Sequence, residues 1–489
     1  MSALERFAVL EDRLNPVLVK EVRQALRSKQ FRGAFGLTLV IGLIVAVMIV
    51  LGGADSAAFD PIGPKFFTGI FGCLAVAVIG FVPMAAFNAM GAEFDENTYD
   101  MLVLSHMRPR QIMLGKLLAA GVQALLYFSV FGFFSVFAFL LGGVDLALVL
   151  VCLPLLAIVS LGLSSVALGL SSLSRKRFVR VGLMVLLSAG LVFSVIGAIS
   201  MQVGASQFGL DFTSPEVQAS ISGVLVVSVV FGSLFFVIGT SRLAHEEENR
   251  STGLRVLGFL LVLLGLGWGA WVHDQLGQVE PFIFVSILAL VAATILGAFF
   301  ATERETLGRR VSVTLPNHKL LRLFALPWLP GGGRGALWLL GVDVSVLLFV
   351  YWRLSTTSLS GFLVTSEPKG RQVILVVVCY SLIYVLLPSA LCSNRSKSPK
   401  WTVVARVGIP ALLILGTFVP AVLGFMFDVM PLANGRHFGN PFWVGFNVLE
   451  ESLDTRPLYV AAALVVLLQV PRIVRAVREV WMAPQHDPA

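Results

Sequence analysis

The sequence predicts an all-α polytopic transmembrane helical bundle of about 12 spans, led by an N-terminal amphipathic interfacial elbow helix. Three observations predict it. Of 489 residues, 57% are hydrophobic and 13% charged, about half the charged share of a soluble domain. Continuous apolar runs such as Leu37–Leu51 and Val224–Ile238 belong to stretches of ~20 residues, the length that crosses a bilayer as helix. Basic residues gather in alternate loops, as they do on the cytoplasmic side of membrane proteins. Backbone groups in lipid need partners within the segment, which a helix supplies. The runs lack the alternation of barrel strands.

The elbow helix comes first. Asn15 suits an N-cap and Pro16 the first helical position. Leu18, Val19, Val22, Ala25 and Leu26 fall on one side of the wheel, and Lys20, Arg23, Gln24, Arg27 and Ser28 on the other. Such a basic amphipathic helix lies in the interface before the first span. It reads either as a buttress of a transport core or as a polybasic flank that sets orientation.

The spans follow at about 34–53, 66–87, 112–141, 146–171, 181–200, 220–240, 254–272, 281–301, 335–352, 372–392, 402–424 and 458–471. The third is long enough to include a re-entrant or interfacial turn. With the N-terminus inside, the inside segments hold 30 of the 36 Lys and Arg residues. Gaining or losing one span would swap every later loop and spoil that asymmetry, so both termini are expected in the cytoplasm and the chain in the cell inner membrane. The same asymmetry accounts for the net charge of +8 without nucleic acid. The run His245–Arg250 divides the chain into 1–250 and 251–489, each with six spans. The second half is either a parallel repeat of the first or an unrelated appended bundle.

The loop after the second span is unusual. Glu93, Asp95, Glu96 and Asp100 fall within eight positions on the basic side of the membrane, where acids do little for orientation. Phe94, Tyr99, Leu102 and Leu104 are interleaved with them, as a short amphipathic helix would require. Ser105 could cap the helix after it, and Pro109 fits the first turn of the third span. A solvated acidic loop is the plainer reading.

Glu93, Glu96, Thr98, Tyr99, Asp100, Leu102, Leu104, Pro109, Ile112, Leu114, Gly115 and Lys116 together resemble the cytoplasmic segment of ABC-2 type transporter permeases. Asn15 through Arg23 also resembles the start of such permeases, and the resemblance covers about residues 10–240. It departs at Asn97, where the family has a small residue, and it leaves 251–489 unexplained. It implies the transmembrane subunit of an ATP-driven exporter. The elbow helix would run through Asn15, Pro16, Leu18, Lys20, Val22, Arg23, Leu26 and Arg27. Glu93, Phe94, Asp95, Glu96, Thr98, Tyr99, Asp100 and Leu102 would form the ATPase-coupling loop. It also implies a separate ABC ATPase subunit as partner, carrying ATP and Mg, and two permease units per complex, as a homodimer or as the two halves of one chain.

Other motifs narrow the chemistry. No G-x-x-x-x-G-K-[ST] occurs, so this chain is expected to hold no nucleotide and to be non-catalytic alone. Gly331-Gly332-Gly333-Arg334-Gly335 reads as a flexible lead-in to the ninth span. No zinc-protease or nucleophile-elbow motif is present. The four cysteines lie in apolar runs without metal or disulfide spacing, so no metal is expected. Asp343, within the ninth span, is the clear intramembrane charge and a functional candidate by default; a helix–helix anchor is the plainer reading. The outside segment 425–456, with Phe438, Phe442 and Trp443, reads as a packed loop with aromatic-belt residues or as an interfacial lid. The rivals to an exporter are a membrane subunit that transmits force without moving substrate, an ion-coupled secondary transporter, and a membrane-embedded enzyme.

Overall fold

The computed structural model describes residues 16–53, 61–96, 107–208, 211–244, 249–305, 308, 311–312, 315–316, 318–357, 367–393, 399–426, 440–450 and 455–482. Among them all regular structure is helical. α1 (Pro16–Arg27) precedes α2 (Lys29–Gly53), and α3 (Gly63–Ala75) runs through a π-helical turn (Val76–Phe81) into α4 (Val82–Asp95). α5 (Pro109–Leu140), α6 (Leu146–Ser172), α7 (Arg177–Phe208) and α8 (Pro215–Leu243) follow. Then come α9 (Thr252–Leu276), α10 (Glu280–Ala301), the short α11 (Lys319–Ala325) and α12 (Gly332–Thr357). α13 (Glu367–Ser393), α14 (Pro399–Met426), α15 (Pro441–Glu450) and α16 (Arg456–Trp481) complete the chain. Taking α3, the π turn and α4 as one, 12 helices among the described residues are long and apolar enough to cross a membrane.

The chain divides into two compact units, Met1–Ala244 and His245–Ala489. In the first, the core lies between the second, third and fourth spans, around Phe67, Leu74, Val78, Met90, Met113, Tyr127 and Leu168. Small residues bring helices close. A Cβ on Gly162 would stand 3.0 Å from the Ser228 carbonyl, and one on Gly169 would press on the backbone of Phe235. The fourth and sixth spans therefore meet backbone to backbone, the usual route to helix association in lipid.

The π turn has a local cause. The Val82 amide reaches back to the Ala77 carbonyl, and the next residue, Pro83, has no N–H to give. The Val78 carbonyl, which the Val82 amide would reach in an α-helix, is served instead by the Ser160 hydroxyl of the fourth span, at 2.6 Å. A side chain from a neighbouring helix thus satisfies a carbonyl that the shifted register orphans.

Three expectations about elements change. The third span is one uninterrupted helix of 32 residues with no re-entrant turn. Pro109 is its only proline and sits in the first turn, where no intrahelical bond is lost. Its N-cap is Arg108, whose amide donates to the Gln111 side chain at 3.0 Å; Ser105 lies outside the described residues. The second span continues past the predicted 87 to Asp95, so Glu93, Phe94 and Asp95 are helix rather than loop. Residues 441–450 form helix α15, whose Val444 and Val448 pack into a core with Val376 and Tyr380.

Candidate functional site

At one end of the first unit, four elements close around the last turns of the second span. The Lys116 ammonium of the third span is buried and donates to Glu21 of α1 at 2.7 Å, to Glu93 at 3.0 Å and to the Ala89 carbonyl at 3.2 Å. Lys20 of α1, half exposed, reaches Glu93 at 3.3 Å. On the other side Arg180, at the start of the fifth span, pairs with Asp95, and Arg175 lies 5.9 Å from the centroid of the Phe94 ring. The Ser171 hydroxyl of the fourth span donates to the Phe87 carbonyl at 2.9 Å. Buried charges persist only when paired and hydrogen-bonded, and this ammonium makes three bonds.

Gly115 explains why α1 docks there. A Cβ at that position would stand 2.8 Å from Val17 Cβ and 3.1 Å from the Leu18 amide. α1 therefore rests its backbone on the third span one residue before Lys116. Val17 and Glu21, on the border between the apolar and basic faces of α1, are its buried residues. The expected apolar face is turned partly away: Leu18, Val22 and Ala25 are half-buried and Leu26 is exposed. Pro16, Arg23 and Arg27 are exposed as well.

The predicted coupling residues thus separate. Glu93 is buried and points into the ion cluster, Phe94 is half-buried, and Asp95 and Glu96 are exposed. Thr98, Tyr99, Asp100 and Leu102 lie outside the described residues, as does Asn15. No local signal pairs Lys116 with Glu21, because they are separated by 95 positions in the chain. Their only trace was the Gly115-Lys116 pair within an otherwise apolar run.

No family model, curated protein or solved structure matches this chain.

The second unit holds a larger ion cluster. Arg255, Arg334 and Arg472, at the ends of the seventh, ninth and twelfth spans, are all buried. Arg255 donates to Glu303 at 2.7 Å and to the carbonyls of Pro327, Leu329 and Gly331. Arg472 pairs with Glu305 and donates to the Ala301 carbonyl at 2.6 Å, and Arg334 pairs with Glu479. The glutamates also cap a helix: the Gly331 amide donates to Glu303 at 2.9 Å and the Gly333 amide to Glu305 at 3.1 Å. Carboxylates belong at a helix N-terminus, where amides lack intrahelical partners. The glycine run is therefore a packed joint and not a flexible lead-in. A Cβ on Gly332 would collide with the Arg472 guanidinium and one on Gly335 with the Phe300 carbonyl.

Asp343 is fully buried in the ninth span and accepts from the Ser381 hydroxyl of the tenth at 3.0 Å. Its Oδ1 has no hydrogen-bond partner among the described residues. Asp343 and Ser381 therefore tie two spans together.

Proposed function

We propose that this chain is the membrane subunit of an ATP-driven exporter of the ABC-2 type, with hydrolysis supplied by a separate ATPase chain. The observation that carries the reading is the clamp on the last turns of the second span. A rigid helix end tied to α1 and to the third, fourth and fifth spans is what a push on residues 97–106 would need in order to move the bundle. Glu93 then serves as an anchor of the lever, and the exposed Glu96, with Tyr99 and Asp100, as its contact with the ATPase. Closure of an ATPase dimer would tilt the second and third spans, and substrate would leave along a path that this tilt opens.

The test is co-purification of the ATPase together with substrate-stimulated hydrolysis. Tyr99→Ala should uncouple hydrolysis from transport more than Asp100→Asn does. Buried aromatics dominate interface hot spots, whereas an exposed ion pair contributes only ~0–1 kcal/mol. Full retention and stimulation in both variants, and in the Glu96→Ala/Tyr99→Ala double variant, would remove residues 96–100 from the docking surface. Retention of the ATPase by a wild-type protein that moves no substrate would favour a force-transmitting subunit.

A further inference from the structure

The connection between the eighth and ninth spans contains a helix with its polarity inverted. In α11 the charged Arg322 is 2% exposed, while Leu320, Leu321 and Phe324 are 59%, 56% and 78% exposed. The Arg322 guanidinium donates to the Pro316 carbonyl at 2.7 Å and to the Val480 carbonyl at 3.5 Å. Beneath the helix Val311, Leu315, Leu326, Leu329 and Val480 form a small core. The outward leucines and phenylalanine are thus held outward by a packed base, with Arg322 turned into the protein.

The neighbours of that face point to its cover. α11 is seated on the last turns of the twelfth span, where Val477 and Val480 join its base, and that span also carries the exposed Leu467, Leu468, Val474 and Trp481. Arg475 and Arg478 are exposed on the same turns, and Arg304 is exposed at the end of the eighth span. Exposed apolar side chains seated on the end of a membrane-spanning helix that also carries exposed arginines match the boundary between acyl chains and anionic headgroups.

We propose that α11 is a second interfacial anchor, which inserts Leu320, Leu321 and Phe324 into the surface of an anionic bilayer. The anchor would fix the level at which the Glu303–Glu305 cluster and the start of the ninth span sit against the membrane. It does not depend on the exporter reading.

The test uses the full chain with Cys73, Cys152, Cys379 and Cys392 replaced by alanine, and Phe324→Cys or Leu321→Cys carrying an environment-sensitive fluorophore. The protein is reconstituted in phosphatidylcholine vesicles with and without phosphatidylglycerol. At both sites we expect quenching by lipids with a nitroxide near the headgroup and protection from aqueous iodide. The lipid-borne quenching should be stronger when phosphatidylglycerol is present. Quenching by iodide and not by nitroxide lipid would place the helix in water and overturn the proposal. Protection from both quenchers would mean a protein cover and overturn it equally. Equal lipid quenching in the two vesicles would remove the anionic preference.

Discussion

Lys116 is the residue on which the first unit's ion cluster depends. Removing one partner of a buried pair strands the others, at a cost of roughly 3–5 kcal/mol. Lys116→Met leaves the buried Glu21 and Glu93 facing each other without their shared cation. Glu93→Gln keeps the Lys116–Glu21 pair, and Lys20→Gln removes only a half-exposed partner worth ~0–1 kcal/mol. Melting temperatures of the detergent-solubilised variants should therefore fall in the order Lys116→Met, Glu93→Gln, Lys20→Gln, with the first lowest. A Lys116→Met protein that melts with the wild type would show that the ammonium is not held by this cluster.

Two devices belong to whole elements. In the second span the Ser160 hydroxyl stands in for the Val82 amide, which the π turn aims at Ala77. Ser160→Ala leaves the Val78 carbonyl buried without a donor, at a cost of about 1–3 kcal/mol. The Ser160→Ala variant should therefore melt below the wild type; an unchanged melting temperature would show that the Val78 carbonyl does not depend on this hydroxyl. The ninth span offers a paired comparison. Ala exceeds Gly in helix propensity by ~1 kcal/mol, and a methyl group added at Gly341 would meet nothing within 4 Å. Gly341→Ala should be neutral or stabilising, whereas Gly335→Ala, aimed at the Phe300 carbonyl, should cost roughly 1–3 kcal/mol by overpacking. Matching melts would contradict the close joint between the eighth and ninth spans.

At the scale of the molecule, sidedness is the property to measure. The basic asymmetry predicts both termini in the cytoplasm. Within each unit, the ends that meet are those an up-and-down path brings together. Arg255, Glu303, Arg334 and Arg472 join the start of the seventh span, the end of the eighth, the start of the ninth and the end of the twelfth. At the other end Asp274 pairs with Arg353. Reporter fusions after residues 60, 275 and 440 should read outside, and those after 175, 320 and 489 inside. Opposite signals at 320 and 489 would end the twelve-span arrangement.

The class of the protein, the number and approximate position of its spans and a helix from Pro16 were legible in the sequence. Each of these rests on a local signal: an apolar run of sufficient length, a basic loop, a proline in a first turn. Asp343 was legible for the same reason, because one charge stands out within an apolar segment. That Glu93 faces inward to Lys116, that Gly331–Gly335 is a packed joint and that Arg322 is buried beneath an apolar surface emerged from the folded chain alone. Those outcomes depend on partners far away in the chain, such as Glu21 for Lys116 and Glu305 for Arg472. A charged residue near a span end looks the same in sequence whether it meets headgroups or a carboxylate from another helix. The difference lies in which helix ends the packing brings into hydrogen-bonding reach, and small residues such as Gly115 and Gly335 set that by letting backbones approach.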